Sequence, residues 1–194
     1  LYIVIHDVIK SEIISCKMKP GSILKENELA DAFGVSRTTI RNALDTLKLE
    51  NFLVQEGRSA RITNLTRAQY TQLNEFRSYM DPIAAKLAAD RYTKDNLNEM
   101  LHFMREAQTD DRMVFVEADC NFHRMIYAAT QNQFLLQSYN QIDSVRRRIN
   151  YLACESLFAD GLWEFSRSKR ERMWKEHQAI FDAIQSSDKQ AAAT

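Results

Sequence analysis

The sequence predicts a mainly α-helical protein in which a small mixed module precedes an all-helical domain. The residues that break helices are unevenly distributed, since three of the four glycines and one of the two prolines lie before residue 66. After that point, apolar residues recur at helical spacing over long stretches. We therefore predict a turn-rich module over residues 1–66 and an antiparallel helical bundle over residues 67–194.

Composition and charge narrow the class of protein. The 194 residues include 26 Lys and Arg against 26 Asp and Glu, and 45% are apolar, which indicates a folded globular chain and excludes collagen-like or largely disordered ones. No apolar run is long enough for a membrane span, and the first ten residues do not have the pattern of a signal peptide. The chain has three cysteines, Cys16, Cys120 and Cys154. Their odd number and wide spacing indicate free thiols in a reducing cytoplasm.

The N-terminal module is predicted to contain three helices. A first helix is predicted from an apolar stripe of Ile3, Val8, Ile9, Ile13 and Ile14, and it ends before the turn at Pro20-Gly21. A short helix over residues 26–33 is followed by Gly34, which suits the left-handed conformation that ends many helices. Ser36 is a good N-cap for the third helix, whose apolar residues have the spacing of one helix face: Ile40, Ala43, Leu44 and Leu47.

Two strand-like pieces, residues 52–54 and 60–63, follow the third helix and flank a turn that contains Gly57. In the helical domain, the longest predicted apolar stripe comprises Tyr70, Leu73, Phe76, Met80, Ile83, Ala84 and Leu87. Pro82 interrupts that stripe and is expected to kink or split its helix. The alanine-rich tail over residues 190–194 is expected to fray.

Two short helices joined by a tight glycine turn are typical of a helix-turn-helix, whose second helix enters the major groove of DNA. Arginine binds guanine in a bidentate manner, and Ser or Thr binds phosphates or base edges. The exposed positions of the second helix are expected to be Ser36, Arg37, Thr38, Thr39, Arg41 and Asn42, with Gly57 and Arg58 in the hairpin turn. A helical hairpin whose arginines are only solvated would have the same spacing. Residues 1–66 carry a net charge of only about +1, so useful affinity would require a dimer.

The run from Met18 to Leu47 closely resembles the winged helix-turn-helix of GntR-type bacterial transcription regulators. The matching residues are Pro20-Gly21, Leu24, Glu28-Leu29-Ala30, Phe33-Gly34-Val35-Ser36-Arg37-Thr38, Arg41 and Ala43-Leu44. Thr39 replaces a usual proline, and Asn51 and Ser59 replace usual glycines. The resemblance implies that Arg37, Thr38 and Arg41 contact the operator, that Gly57 and Arg58 form the wing, and that Lys25 or Asn27 meets phosphate.

Three residues of the helical domain suggest a metal site. Asp119 and His123 are four residues apart, which places a carboxylate and an imidazole on one helix face. His177 shares a stripe with Trp174 and Ile180 in a later helix and faces inward. The same pattern is compatible with hydrogen-bonded core histidines that bind no metal.

The helical domain resembles the FCD ligand-binding domain of the FadR-like branch of the same family. The matching residues are Phe76-Arg77, Asp81-Pro82, Ala84-Ala85, Leu87-Ala88-Ala89, Asp119, Phe122-His123, Ala128, Asn132, Phe134-Leu135, Glu176-His177, Ile180, Ala183-Ile184 and Asp188. The resemblance implies a divalent metal, zinc or nickel, on Asp119, His123, His177 and one later histidine. No histidine follows His177, so we expect the chain to be cut short before that position; the alternative is a site that lacks one ligand.

The same resemblance implies a small organic acid effector that contacts the metal and an arginine. Arg77 aligns with a family arginine that often lines the pocket. Of the run Arg146, Arg147 and Arg148, at most two are expected to face inward, with Arg148 chosen as the second effector residue.

These observations predict a cytoplasmic, homodimeric regulator that binds double-stranded operator DNA and no membrane, and we expect it to act as a repressor. An enzyme is disfavoured because the sequence has no metalloprotease H-E-x-x-H motif, nucleophile elbow or phosphate loop. A DNA-binding protein without an effector is the remaining alternative.

Overall fold

The computed structural model describes residues 1–159 and 163–193, with side chains described outside residues 154–169. The chain divides into two compact units, Leu1–Arg67 and Ala68–Thr194. Cys16 and Cys120 are buried free thiols, whereas the Cys154 side chain lies outside the described residues.

The N-terminal unit contains the three predicted helices: α1 (Tyr2–Ile14), α2 (Glu26–Phe33) and α3 (Arg37–Leu49). Gly34 ends α2 in the left-handed conformation, with φ of 64°. The Ser36 hydroxyl oxygen accepts a hydrogen bond from the Thr39 amide at 3.2 Å and so caps α3. The turn between α2 and α3 is therefore fixed by the two residues that the sequence singled out.

A three-stranded antiparallel sheet completes this unit. Its strands are β1 (Ile23–Leu24), β2 (Leu53–Glu56) and β3 (Ser59–Ile62), in the order β1-β3-β2. The β2–β3 hairpin confirms the predicted wing, whereas the two-residue strand β1 was not predicted because it is too short to show alternation. Asn51, which stands where the family resemblance implies a glycine, adopts the left-handed conformation with φ of 63°.

The core of the N-terminal unit lies where α1, α3 and the sheet meet. Ile40, Ala43, Leu44 and Leu47 are all buried, as predicted for α3. The predicted stripe of α1 is partly wrong: Ile5, Ile9 and Ile13 are buried, but Ile3 and Val8 are exposed. The i, i+4, i+8 spacing of the three buried residues defines one face, and the additional apolar residues of α1 lie outside it.

The second unit is helical in all its described elements: α4 (Arg67–Arg91), α5 (Lys94–Glu106), α6 (Arg112–Ala129), α7 (Gln133–Ala159), α8 (Trp163–Gln185) and α9 (Lys189–Ala192). Pro82 lies inside α4 and does not split it. The expected fraying of the tail is wrong, because Asp188 caps α9, Lys189 pairs with Asp90 at 2.5 Å, and Ala192 is buried. A cap and a docked alanine hold this turn against the body of the unit.

The buried face of α4 agrees only in part with the predicted stripe. Leu73 and Ala84 are buried as predicted, whereas Tyr70 and Ile83 are exposed, and the buried face also includes Ala85, Ala88 and Ala89. These alanines pack in the core of the helical unit together with Met100, Phe122 and Tyr127. No helix among the described residues is long and apolar enough to cross a bilayer.

Candidate nucleic-acid interface and metal centre

The outward face of α3 carries the polar residues that the sequence assigned to DNA. Ser36, Arg37, Thr38 and Arg41 are exposed, and Thr39 is half-buried because its hydroxyl is hydrogen-bonded to Ser36 at 2.8 Å. The apolar residues of α3 occupy the opposite face, which fixes the rotation of the helix about its axis. A helix held in this way presents its first two turns to a partner.

Two cations on this surface are already paired within the unit. The Arg41 guanidinium donates to both carboxylate oxygens of Glu26, with Nε–Oε1 at 3.1 Å and Nη2–Oε2 at 2.8 Å. Lys25 Nζ lies 2.7 Å from Glu28 Oε1. Arg37, by contrast, forms no ion pair with the described residues. Arg37 is therefore available to a nucleic acid without loss of an existing contact, whereas Arg41 is oriented by α2.

The hairpin turn is held by a side chain that sequence analysis missed. Gln55 Nε2 donates to the carbonyl oxygens of Gly57 at 2.8 Å and of Ser59 at 3.0 Å. Gly57 and Arg58 are exposed at the tip, and Gly57 has a φ of 57°. The wing is thus a rigid, exposed turn with one cation, a geometry that can approach a DNA groove.

Asp119, His123 and His177 come together in the helical unit. His123 Nε2 lies 3.2 Å from His177 Nε2, and Asp119 Oδ1 lies 3.4 Å from His177 Nε2 and 4.0 Å from His123 Nε2. Helix α6 supplies the first two residues and α8 the third. The Phe122 ring stacks on His177, with centroids 4.3 Å apart, and fixes the plane of that imidazole.

The second oxygen of the Asp119 carboxylate is occupied by two donors from α7. Arg146 Nη2 lies 3.1 Å from Asp119 Oδ2, and Asn150 Nδ2 lies 3.2 Å from the same atom. Arg146 also donates to the Tyr139 hydroxyl, which itself donates to the Cys120 carbonyl oxygen. These contacts turn Oδ1 toward the histidines, and Oδ1 is buried with no hydrogen bond from any residue that the structure describes.

Both histidines are held neutral. Burial, aided by the positive charge of Arg146, lowers the pKa of His123 well below its ordinary value. Burial also lowers the pKa of His177, and the nearby Asp119 carboxylate opposes that effect. Neutral imidazoles expose a nitrogen lone pair, which is the form that binds a metal ion.

The observed donor set fits a divalent metal. Two imidazole nitrogens and one carboxylate oxygen lie within 4.8 Å of one another. Two Nε2 atoms that face each other across 3.2 Å, beside a buried oxygen without a donor, form the arrangement that a shared cation satisfies. Arg146 and Asn150 hold the carboxylate from behind, as outer residues do around metal ligands.

The three consecutive arginines of α7 behave differently from the expectation. Arg146, Arg147 and Arg148 are all buried, with exposed fractions of 2%, 9% and 3%. Arg147 is accommodated by Asp143 at 2.6 Å and Asn121 at 2.8 Å, and by an ion pair with Glu117. The expectation that at most two would face inward is therefore wrong, because acidic and amide groups of α6 and α7 receive the guanidinium groups.

A cavity of about 220 Å³ opens beside His123. Its polar lining residues are Arg77, Asp81, His123 and Tyr127. Asp81 accepts a hydrogen bond from Arg77 Nε at 3.0 Å and another from the Tyr127 hydroxyl at 2.8 Å. Arg77, which was expected to line a pocket, borders this cavity, whereas Arg148 is not among the described residues that line it.

Comparisons with known families decide the identity of the chain. Residues 1–62 match the family described as bacterial regulatory proteins, gntR family, and residues 72–194 match the FCD domain. The chain is a GntR-family transcription regulator with an FCD domain.

Named relatives of this GntR-family regulator are repressors. It is 28% identical over 194 residues to the probable D-xylose utilization operon transcriptional repressor of Paenarthrobacter nicotinovorans, covering 97% of this chain and 80% of that protein. It is 26% identical over 204 residues to the galactonate operon transcriptional repressor of Escherichia coli strain K12, covering 93% and 85%. These relatives regulate transcription and are not enzymes, which confirms the expected class.

A solved structure has the same fold as the regulator. The structure titled E. coli McbR/YncC superposes with a TM-score of 0.77 at 20% identity, and the match covers 99% of this chain and 89% of that one. The winged helix-turn-helix and the helical FCD domain predicted from the sequence are thereby confirmed.

Sequence analysis missed two positioning contacts at the candidate sites besides that of Gln55. Glu26 orients Arg41, and Arg146 orients Asp119. No local pattern identifies either residue, because each pairing joins positions far apart in the chain, 15 and 27 residues respectively. The only available signal was the density of arginines at residues 146–148.

Proposed function

We propose that this GntR-family regulator is a homodimeric repressor that reads operator DNA with α3 and the wing and is controlled by a small organic acid bound at a metal in its FCD domain. The observation that carries the DNA-reading part is the outward face of α3, where Arg37 is exposed and unpaired among the described residues. Lys25, Asn27 and Arg58 are also exposed in the same unit and are assigned to phosphate or groove contacts.

Homodimerisation follows from the weak charge of the DNA-reading unit. One copy presents few unpaired cations, and two copies on half-sites a helical turn apart double the phosphate contacts. Sedimentation of the full chain is expected to give twice the chain mass. A monomer at micromolar concentration would contradict this part of the proposal.

DNA binding is tested with a site selected by the protein from a random library. Arg37→Ala and Arg41→Ala are each expected to weaken that complex by about 5- to 150-fold, the loss of one bidentate base contact. Arg105→Ala removes the same side chain from an exposed position of α5 and serves as the control. Unchanged binding by both α3 variants in a fluorescence anisotropy titration would refute the assignment.

The metal part of the proposal is supported by the Asp119, His123 and His177 geometry. Two nitrogens and one carboxylate oxygen suit zinc or nickel, and three protein ligands leave a coordination position open. A bound divalent ion would supply positive charge and a point of attachment for a carboxylate. Elemental analysis of purified full-length protein is expected to give about one ion per chain, and less than a tenth of that in His123→Ala.

The charge of the site supports an anionic effector. The carboxylate of Asp119 is matched by Arg146, and that of Asp81 by Arg77. Burial favours the neutral form of both histidines, so a divalent ion would add positive charge to a site whose two carboxylates are already paired with arginines. A small acid compensates this charge, with Arg77 as a second contact and Arg148, buried on α7, assigned a weaker supporting role.

Effector control acts through a population shift. A ligand changes operator affinity only to the extent that it binds one state of the protein more tightly than the other. The assay is operator affinity with and without a panel of organic acids, at a fixed concentration of zinc. If no acid changes either operator affinity or the melting temperature, the protein binds DNA without this kind of effector.

A further inference from the structure

The Arg61 guanidinium joins the wing to the turn that precedes β1. Its Nε and Nη2 donate to the two carboxylate oxygens of Glu56, at the tip end of β2. Its Nη1 donates to the Gly21 carbonyl oxygen at 2.8 Å. All three nitrogens of the guanidinium therefore have an acceptor within the unit, and these acceptors lie 5 and 40 residues from Arg61 in the chain.

The strand register places Arg61 and Glu56 on the same face of the sheet. On the central strand β3, Arg61 stands opposite Val54 of β2. Glu56 is two residues beyond Val54, so it lies diagonally across from Arg61 with its side chain on the same side. This is the outer face of the sheet, because Ala60 and Ile62, the neighbours of Arg61 on β3, are buried in the core.

The turn at Gly21 is a fixed point for this link. The Gly21 amide donates to the Ile62 carbonyl oxygen at 2.9 Å, and the Ile62 amide donates to the Ser22 carbonyl oxygen at 2.9 Å. Gly21 has a φ of 81°, and a Cβ there would lie 3.1 Å from Asn64 Oδ1, so the turn favours glycine. Arg61 thus ties the wing to a part of the unit that backbone hydrogen bonds already hold.

The tip of the wing extends beyond the third strand of the sheet. Strand β1 pairs with Ala60 and Arg61, so residues 56–59 project past it as a two-stranded ribbon. Gln55 fixes the shape of the turn through the Gly57 and Ser59 carbonyl oxygens, but these contacts lie within the ribbon. Two-stranded ribbons twist more than larger sheets. A contact from the ribbon to the body of the unit is therefore what sets its angle.

The Arg61–Glu56 pair is better suited to orientation than to stability. The two side chains are 38% and 42% exposed, and ion pairs with this exposure contribute little to folding stability. Hydrogen bonding from Arg61 lowers the pKa of Glu56, so this group is a carboxylate at neutral pH. An unpaired carboxylate in the wing would repel DNA phosphates. Arg58, by contrast, is exposed at the tip and forms no ion pair with the residues that the structure describes.

We propose that Arg61 is a positioning residue for operator binding, which holds the wing at one angle so that Arg58 enters the DNA groove. Arg61 itself makes no contact with DNA in this arrangement. The inference rests on the proposed function, because it assumes that the wing meets the operator. It adds that the wing is oriented through the Gly21 turn, by a residue outside the predicted set of DNA contacts.

The test removes the ion pair without changing the net charge of the wing. Arg61→Met combined with Glu56→Gln replaces one positive and one negative group by neutral side chains of similar length. In the anisotropy titration of the full chain with its selected operator, this pair variant is expected to bind about three- to tenfold more weakly than the wild type. The matched control is Lys17→Met with Glu12→Gln, which removes a 3.6 Å ion pair from the same unit and should leave the affinity unchanged.

Two further variants separate orientation from charge and from loss of folding. Arg61→Lys keeps the positive charge, but one ammonium group cannot bind both oxygens of Glu56 and the Gly21 carbonyl at once, so we expect binding to weaken by a similar factor. Arg58→Ala removes the side chain that is positioned. In that background, loss of the Arg61–Glu56 pair should change the affinity by less than about twofold. A loss of folding stability would instead weaken binding equally in both backgrounds.

The outcomes distinguish this inference from the proposed function. If the pair variant or Arg61→Lys binds the operator as tightly as the wild type, the inference is overturned. It is also overturned if the pair variant weakens binding equally with and without Arg58, or lowers the salt dependence in the Arg58→Ala background by about one further ion, because Arg61 then acts on its own. These failures leave the DNA-reading role of α3 standing, whereas unchanged binding by Arg37→Ala and Arg41→Ala would refute that role.

Discussion

Replacing Arg146 by methionine tests the electrostatic balance at the centre of the FCD domain. The Arg146 side chain is 2% exposed and lies 3.1 Å from Asp119 Oδ2. Its removal leaves the Asp119 carboxylate buried, with only Asn150 as a donor to Oδ2. Breaking a buried ion pair from one side costs about 3–5 kcal/mol. For a unit of this size, the melting temperature of metal-free protein is expected to fall by roughly 10–20 °C.

Differential scanning calorimetry with a chelator, and then with zinc, gives the decisive comparison. Zinc is expected to raise the melting temperature of Arg146→Met more than that of the wild type, because the ion offsets the charge of Asp119 that Arg146 no longer offsets. The double variant Arg146→Met with Asp119→Leu removes both charges and should recover most of the lost stability. A single variant within about 1 kcal/mol of the wild type, or a double variant no better than the single one, would refute the reasoning.

Three further predictions follow from particular residues. In metal-free protein, the free energy of unfolding is expected to fall as pH drops from 6.5 to 5, by up to about 1.4 kcal/mol per pH unit for each of His123 and His177. Burial lowers the folded-state pKa of both, so the unfolded chain gains more protons than the folded chain as the pH falls, and the slope should flatten in the two His→Gln variants. Asn51→Ala should lower the free energy of unfolding in urea by about 1 kcal/mol, because the φ of 63° at this position disfavours alanine. Asn51→Gly should stay within about 0.5 kcal/mol of the wild type. Equal effects of the two substitutions would contradict this explanation. Ser36→Ala should cost about 1 kcal/mol, and Ser36→Thr, which keeps an acceptor for the Thr39 amide, should cost less.

The local part of the fold could be predicted from the sequence. Capping residues, left-handed residues and apolar spacing all act within a few residues of one another. These local signals predict helices α2 and α3, the glycine between them and the hairpin. The pairing of Asp119 with His123 also follows from helical spacing. That His177 joins them was implied by family resemblance, and the structure brings the three side chains together.

The remaining features depend on contacts distant in sequence. Strand β1 forms because Ile23 and Leu24 pair with Arg61 and Ala60. A segment of two residues is too short for its sequence to predict a strand or its register. The burial of Arg146 and Arg147 depends on carboxylates and amides of α6 as well as α7. The packed face of α4 depends on the residues of α5, α6 and α8 that share its core cluster, and those of α6 and α8 lie far from α4 in the sequence.

Pro82 gives α4 a mechanical property that a continuous helix of the same length would lack. Proline has no amide hydrogen, so one rung of the helical ladder is missing there, and helices bend most readily at such a point. Arg77 and Asp81 precede this point and Ala85 follows it, and all three border the same cavity. A molecule that fills the cavity therefore contacts α4 on both sides of the point where the helix bends most readily. We expect its binding to change the bend angle of α4.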